Sequence, residues 1–174
     1  ASLTDLSGEF EPFARQLSES VAGVRALAVS PDGVVRLVFP RAGNEAALGL
    51  NIFNDPREQV RADGVRARQS GRVVISGPHE MAVGGFGVVA RLAVIRKEKF
   101  WGLVHVALDL PPILAEAGVI AQRNLQLALR DGRGQVFFGK PTVFDSNPVL
   151  HRIDLPDGHW DLAAIPIAGW SGSV

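Results

Sequence analysis

The sequence predicts an α+β fold, with an N-terminal helix, a five-stranded antiparallel sheet and a smaller four-stranded sheet. Three observations lead to this prediction. Apolar residues recur at helical spacing near the N-terminus, short apolar runs separated by turn sequences follow up to residue 109, and the patterns after residue 125 are those of strands alone. Runs of strands that are kept apart from the helices favour the α+β class.

The N-terminal segment, residues 3–23, is typical of an amphipathic helix. Its apolar residues recur three and four positions apart, with charged residues between them: Phe10, Phe13, Leu17 and Val21. Pro12 is favourable only in a first turn, so we expect the regular helix to begin near Glu11. The stripe has more apolar surface than a small sheet needs, and part of it is expected to pair with a second chain.

A hairpin and two helices are predicted next. Residues 24–30 and 34–40 are joined by Ser30-Pro31-Asp32-Gly33, which has the residues of a tight turn. Residues 44–53 have the Ala- and Leu-rich composition of a helix. A second helix is expected from Asp55-Pro56 to about Gln69, and Ser70-Gly71 ends it.

Seven strands complete the pattern. Three are predicted at residues 72–76, 86–95 and 100–109, with a hairpin tip at residues 97–99. The third of them is apolar on both faces, which is usual for the centre of a sheet. Pro111-Pro112 begins a short helix that reaches about Ala117. The last four strands are predicted at residues 125–130, 135–138, 149–155 and 160–165.

Composition argues against several classes of function. The 18 basic and 18 acidic residues give zero net charge, so nothing favours nucleic-acid binding. There is no Cys, and no two of the four histidines are three or four residues apart, so no metal site is predicted. No serine lies in a G-x-S-x-G sequence, and no pair of carboxylates stands out. We therefore predict neither catalysis nor a bound cofactor.

Two polar residues lie inside apolar strands. Arg91 is surrounded by small and branched apolar residues, and so is His105. If either side chain faces the core, it needs a partner or a ligand, and if it faces solvent it needs neither. The sequence leaves both alternatives open. Gly84-Gly85-Phe86-Gly87 precedes a strand, which favours a tight loop over a phosphate-binding turn.

A family resemblance is carried by segments spread over nearly the whole chain: Phe39-Pro40-Arg41-Ala42-Gly43-Asn44-Glu45, Arg66-Ala67-Arg68-Gln69-Ser70-Gly71, Val74-Ile75-Ser76-Gly77-Pro78, Gly84-Gly85-Phe86-Gly87, Phe100-Trp101-Gly102-Leu103-Val104, Trp160-Asp161-Leu162-Ala163-Ala164 and Gly169-Trp170. Each segment alone is a weak signal, but together they resemble the CHASE domain. This family comprises extracytoplasmic sensors of receptor histidine kinases, diguanylate cyclases and adenylate cyclases.

The resemblance implies three parts: an N-terminal helix at residues 1–23, a membrane-distal PAS-like subdomain at residues 24–110, and a connecting helix with a smaller membrane-proximal PAS-like subdomain at residues 111–174. It implies transmembrane helices just outside Ala1 and Val174, so that the domain is periplasmic or extracytoplasmic and belongs to an inner-membrane protein with a cytoplasmic output domain. A homodimer through the N-terminal helix is expected.

The resemblance also points to two positions in the distal subdomain. In the plant cytokinin receptors of the family an aspartate binds the adenine ring, and the corresponding residue here is Asn51. Asn both donates and accepts, whereas ionised Asp only accepts, so a cytokinin-like ligand does not follow. The other family contact is a backbone group on the strand that contains Ile75. Asn51 also fits a helix-terminal polar residue with no ligand role.

We therefore expect a small-molecule pocket walled by residues 48–53, by the strand at Ile75 and by the loop at residues 84–87. The predicted contacts are Asn51, Phe53, Ile75, Gly85, Phe86 and Arg91. An inward-facing Arg91 would favour a carboxylate-bearing ligand, and an outward-facing one a neutral ligand. The predicted function is extracytoplasmic sensing of a small molecule. The alternatives are a ligand-free dimerisation module and, third, a hydrolase.

Overall fold

The structure, a computed structural model, describes residues 3–170, with side chains described from residue 8 onward. The chain divides into two units, Ala1–Ile113 and Leu114–Val174. Within the described residues there are three α-helices: α1 (Leu3–Ser20), α2 (Glu58–Ser70) and α3 (Leu110–Glu116). None of these helices combines the length and the apolar character that crossing a bilayer requires.

The first unit contains one antiparallel sheet. Its strands are β1 (Val24–Pro31), β2 (Leu37–Phe39), β3 (Val74–Glu80), β4 (Phe86–Arg96) and β5 (Lys99–Asp109). Their order in space is β2-β1-β5-β4-β3, and every neighbouring pair is antiparallel. The five-stranded antiparallel sheet is thereby confirmed. The strand that is apolar on both faces, β5, lies at its centre, where each of its faces is covered.

The two faces of this sheet pack against different helices. On one face, buried Leu27 and Phe39 contact Ala14 of α1. On the other, Val74 and Leu103 pack with residues of α2 and of the segment between β1 and α2. Side chains alternate between these faces along each strand. Arg91 and His105 are opposite each other on β4 and β5 and lie on the α2 face, where both are buried.

Helix α1 continues through Pro12, so the expected start near Glu11 is wrong. Proline deprives the carbonyl of Gly8 of its helical donor, but both residues are exposed, and water can bind that carbonyl. The apolar stripe is divided by its packing. Phe10 and Leu17 pack against the sheet, whereas Phe13 is 62% exposed.

The helix expected at residues 44–53 is absent. Two short 3-10 turns replace it, Glu45–Ala47 and Ile52–Asn54. Between them the chain turns at Leu48 and Gly49, and Asn51 then forms a β-bridge with Val34. Composition favoured a helix, but long-range backbone pairing decided the local structure.

The second expected helix exists but begins three residues after Asp55. The Asp55 carboxylate accepts a hydrogen bond from the backbone N–H of Arg57, which forms a turn ahead of α2. The end of the helix is as predicted: Gly71 has φ +61°, and its N–H donates to the carbonyl of Ala67.

The second unit contains a four-stranded antiparallel sheet, also as predicted. Its strands are β6 (Leu125–Asp131), β7 (Val136–Phe138), β8 (Val149–Leu155) and β9 (Gly158–Pro166). Their order is β7-β6-β9-β8. Ala128 and Ala163 pack with Val143, which lies in a 3-10 turn between β7 and β8.

Candidate functional site

A cavity of about 80 Å³ lies on the α2 face of the first sheet. Small and branched apolar side chains form much of its wall: Ala26, Ala28, Val35, Val38, Leu50, Ile52, Val89 and Ala107. The sheet supplies the alanines, since alternate residues of β1 and β5 point to this face. The cavity is small beside the roughly 300–1,000 Å³ of ordinary ligand pockets, so it suits a molecule of few heavy atoms.

Arg91 supplies a positive charge to this apolar wall. It lies on β4, opposite Val74 of β3 and His105 of β5, and its side chain is 4% exposed. Its Nε and Nη1 atoms are buried and have no hydrogen-bond partner. Burial lowers the pKa of Arg91 to about 10, an effect that the charge of Asp63 opposes. The guanidinium therefore remains charged at neutral pH.

Asp63 is a counter-charge outside the cavity. It is buried on α2, and its Oδ1 accepts from Nε2 of Gln59 at 2.6 Å and pairs with Nη1 of Arg66 at 3.0 Å. Its Oδ2 is buried without a partner. Asp63 makes no ion pair with Arg91 and is not among the residues that line the cavity. Its charge acts on Arg91 only through space, and Nε and Nη1 of the guanidinium have no hydrogen-bond partner.

A second acidic residue, Asp55, lines the cavity and is neutralised in place. Nε of Arg57 donates to its Oδ1 at 2.8 Å, and Nη2 donates to its Oδ2 at 2.7 Å. These hydrogen bonds lower the pKa of Asp55 and raise that of Arg57. The pair thus has no net charge, and the two-pronged geometry fixes both side chains.

Two histidines complete the polar part of the wall. His105 is hydrogen-bonded through Nε2 to the hydroxyl of Ser30, and that hydroxyl donates to the carbonyl of Leu103 at 3.2 Å. Burial lowers the pKa of His105 to about 3, and the nearby Arg91 charge adds to the effect. Burial also lowers the pKa of His79, with further contributions from Arg91 and Arg57. Both imidazoles are neutral at neutral pH.

Of the six predicted contacts, Arg91 lines the cavity and the other five do not. Leu50 and Ile52 point into it, so Asn51, which lies between them, points elsewhere. The side-chain oxygen of Asn51 accepts from the backbone N–H of Phe53 at 3.0 Å, which is the helix-terminal role. Phe53 packs edge-to-face on Phe100, with ring centroids 5.8 Å apart.

Because side chains alternate along a strand, Ile75 and Phe86 lie on the face of the sheet opposite to the cavity. Ile75 pairs with Ala90, one position away from the inward-facing pair Val74 and Arg91. Phe86 begins β4 and is offset from Arg91 by an odd number of residues. The backbone carbonyl of Gly85 already accepts a hydrogen bond within the protein, from the N–H of Met81 at 2.9 Å. As ligand contacts, these residues stay predictions.

Sequence reasoning missed His79, Met81 and the Asp55–Arg57 pair as lining residues. The predicted strand at residues 72–76 ended too early, because β3 continues to Glu80 through a register shift after Ser76. His79 is carried into the cavity by that extension. The sequence singles out Asp55 as a helix cap, and its pairing with Arg57 at the cavity has no sequence signal.

The described residues hold no cluster of three or more His, Cys, Asp or Glu side chains that could bind a metal ion. The lining instead combines an apolar patch with one cation that no ion pair neutralises. Such an arrangement suits non-covalent binding of a small anion, with the guanidinium for orientation and the apolar wall for affinity.

Comparisons with known proteins agree with this architecture. The chain has the fold of an extracellular ligand-binding receptor from Desulfohalobium retbaense, at 15% identity and a TM-score of 0.69, over 88% of this chain and 32% of that one. It thus spans about a third of that receptor. It also has the fold of the ligand-binding domain of the Pseudomonas aeruginosa amino acid chemoreceptor PctC in complex with GABA, at 13% identity and a TM-score of 0.59, over 92% and 78% of the two chains.

A third structure of this fold is the ligand-binding domain of the Pseudomonas fluorescens chemoreceptor CtaA in complex with L-serine, at 13% identity and a TM-score of 0.55, over 81% and 71% of the chains. No curated protein sequence matches the chain. The model of the CHASE domain matches residues 33–138, which is more than half of the sequence. The chain therefore belongs to the CHASE domain family of extracytoplasmic sensors.

Proposed function

We propose that this chain is the sensory domain of a transmembrane signalling receptor and that it binds a small solute in the cavity of its first unit. The observation that carries the proposal is Arg91, whose buried Nε and Nη1 donors have no partner in the protein. A buried donor left without a partner costs roughly 1–3 kcal/mol, so an acceptor that enters the cavity gains by pairing with these donors. A bound solute supplies that acceptor.

The family and the fold support this role. Neighbours of the same fold are ligand-binding domains solved with GABA and with L-serine, both of which are small solutes that carry a carboxylate. In this chain a solute that binds one conformation of the first unit better than another would shift the population towards it. The receptor would convey that shift across the membrane to a cytoplasmic output domain.

The leading alternative is a ligand-free dimerisation module. Such a module would have large side chains filling the space on the sheet. Ala26, Ala28 and Ala107 instead leave a cavity there, and a charged group faces into it. These observations favour a binding role over a purely structural one.

The proposed receptor is a homodimer through α1. Phe13 is 62% exposed on the helix whose Phe10, Ala14 and Leu17 pack against the sheet. These 174 residues contain no Cys, so Phe13→Cys introduces the only thiol of this domain, and any cysteine elsewhere in the receptor is first replaced by serine. Oxidation of the full-length receptor should join two chains at this position and not at the exposed β4–β5 tip in Lys99→Cys. Failure of Phe13→Cys to cross-link would count against the dimer.

A thermal-shift screen tests the binding function. The panel consists of solutes of up to about ten heavy atoms: carboxylates, α-amino acids, amines and nucleobases. At least one class should raise the melting temperature with increasing concentration. At about 100 times the dissociation constant the gain is about 2.7 kcal/mol, or roughly 5–10 °C for a chain of this size.

A cavity-filling variant tests whether the solute binds inside the cavity. Ala107→Leu adds three heavy atoms to the wall and should abolish the shift, whereas Ala62→Leu on the exposed side of α2 should retain it. The proposal fails if no class in the panel raises the melting temperature. It also fails if the shift is the same in Ala107→Leu.

A further inference from the structure

The charges around the cavity leave one positive charge unneutralised. Asp55 and Arg57 form a two-pronged ion pair and cancel each other. His105 is buried and His79 is half-buried, and the lowered pKa of each leaves both imidazoles neutral. Arg91 remains as the cation in the lining that has no ion pair. A ligand that neutralises the cavity therefore carries one negative charge.

An ammonium group would find no unpaired anionic partner in this lining. The Asp55 carboxylate is already held at both oxygens by one arginine. Asp63 has an unpartnered oxygen, but it lies outside the lining. An ammonium buried here would lose its hydration without gaining a counter-ion, and it would be close to the Arg91 charge.

The rest of the wall selects a short alkyl group. Apolar residues of β1, of β2 and of the segments on either side of β2 line the cavity: Ala26, Ala28, Val35, Val38, Leu50 and Ile52. The volume of about 80 Å³ admits only a small tail. A few methyl or methylene groups buried there contribute about 0.8 kcal/mol each.

Building on the proposed function, we propose that the ligand of this cavity is a short-chain aliphatic monocarboxylate and not an α-amino acid. Its carboxylate accepts hydrogen bonds from the Arg91 guanidinium, and its alkyl tail lies against the alanine and valine side chains of β1 and the following segment. The chain would thus differ in ligand class from neighbours of the same fold whose structures contain GABA or L-serine.

Three compounds of nearly equal size and shape separate these contributions. Isobutyrate has the carboxylate and two methyl groups, alanine replaces one methyl by an ammonium, and isobutyramide replaces the carboxylate by a neutral amide. Calorimetric titration of the 174-residue chain should show binding of isobutyrate. Alanine and isobutyramide should each bind at least about 10-fold more weakly, because one leaves an unpaired buried charge and the other loses the charge-assisted hydrogen bonds.

Variants of Arg91 test whether the affinity for isobutyrate depends on this residue. Arg91→Met should weaken isobutyrate binding by about 30-fold or more, and Arg91→Lys should give an intermediate loss, because it keeps the charge without the planar fork. Arg96→Met is the matched control, since Arg96 lies on the same strand and outside the lining. The Arg96→Met variant should bind isobutyrate as tightly as the wild type. Melting curves verify that each variant is folded.

The outcomes separate this inference from the proposed function. Tighter binding of alanine than of isobutyrate, still sensitive to Ala107→Leu, would overturn the monocarboxylate assignment and leave the sensor proposal standing. Equal isobutyrate affinity in wild type and Arg91→Met would also overturn it. If no compound of the broader panel binds, the sensor proposal fails, and this inference fails with it.

Discussion

Replacing Arg91 by methionine should stabilise the ligand-free protein. The side chain is 4% exposed, and burial lowers its pKa to about 10, so the charged form is disfavoured by on the order of 3 kcal/mol relative to an exposed arginine. Two guanidinium nitrogens also lack hydrogen-bond partners. Methionine is unbranched and apolar, and it can occupy much of the same space without these penalties.

Two losses reduce the gain. The variant removes the attraction between Arg91 and Asp63, and Asp63 keeps its ion pair with Arg66 at 3.0 Å. Methionine is also shorter than arginine and leaves some space unfilled. We expect a net stabilisation of about 1–3 kcal/mol, or a melting temperature that is higher by roughly 2–4 °C for each kcal/mol.

Urea unfolding followed by circular dichroism measures the change directly. Arg96→Met provides the comparison: Arg96 is half-buried, and its guanidinium lies 4.3 Å from the centroid of the Trp101 ring. Loss of that contact should lower the stability by about 0.5–1 kcal/mol. The two variants should therefore change stability in opposite directions. If Arg91→Met is less stable than the wild type by more than about 1 kcal/mol, Arg91 serves the fold, and the argument for a recognition group is refuted.

Three further predictions concern the same unit. Because burial lowers the pKa of His105 to about 3, this side chain is protonated in the unfolded chain and neutral in the folded chain between pH 3 and about 6.5. Stability should fall as pH drops through that window, by up to about 1.4 kcal/mol per pH unit, and acid titration of His105→Gln should show a shallower fall. Gly33→Ala should lower the free energy of unfolding by about 2 kcal/mol or more, because Gly33 has φ +85° and a Cβ there would collide with the Phe53 ring. Gly43→Ala, with φ +79° and open space, should lose only about 1 kcal/mol in the same denaturation assay. Asp55→Asn should lower the free energy of unfolding by about 1–3 kcal/mol, because it removes the charge of a carboxylate that is 1% exposed and accepts two guanidinium hydrogen bonds. A loss below about 0.5 kcal/mol would show that the ion pair contributes little to stability.

Strand positions were predictable from the sequence because the signals for them are local. Turn residues fix where a strand ends: Asp32 and Gly33 have positive φ in the first hairpin, and Lys97 and Glu98 have positive φ at the tip between β4 and β5. The alternation of apolar residues then gives the side of each residue within one strand. For this reason the two antiparallel sheets could be anticipated closely.

The candidate site was less predictable, because it depends on register between strands. Whether Arg91 faces α2 or α1 is settled by its pairing with Val74 and His105, and no local pattern specifies that pairing. Asn51 does not line the cavity. Its β-bridge to Val34, a residue 17 positions earlier, fixes the local backbone and so directs the side chain elsewhere. Resemblance to the family indicated the correct fold, and only the register brought these particular side chains together.

A crystal structure of the chain grown with isobutyrate tests the central claim most directly, which is that this cavity binds a small anion through Arg91. We predict electron density for the solute inside the cavity, with a carboxylate oxygen within about 3.2 Å of a guanidinium nitrogen of Arg91. The methyl groups should lie against Ala26, Ala28 and Val35. An empty cavity at a solute concentration that raises the melting temperature, or density for the solute elsewhere on the protein, would contradict the account.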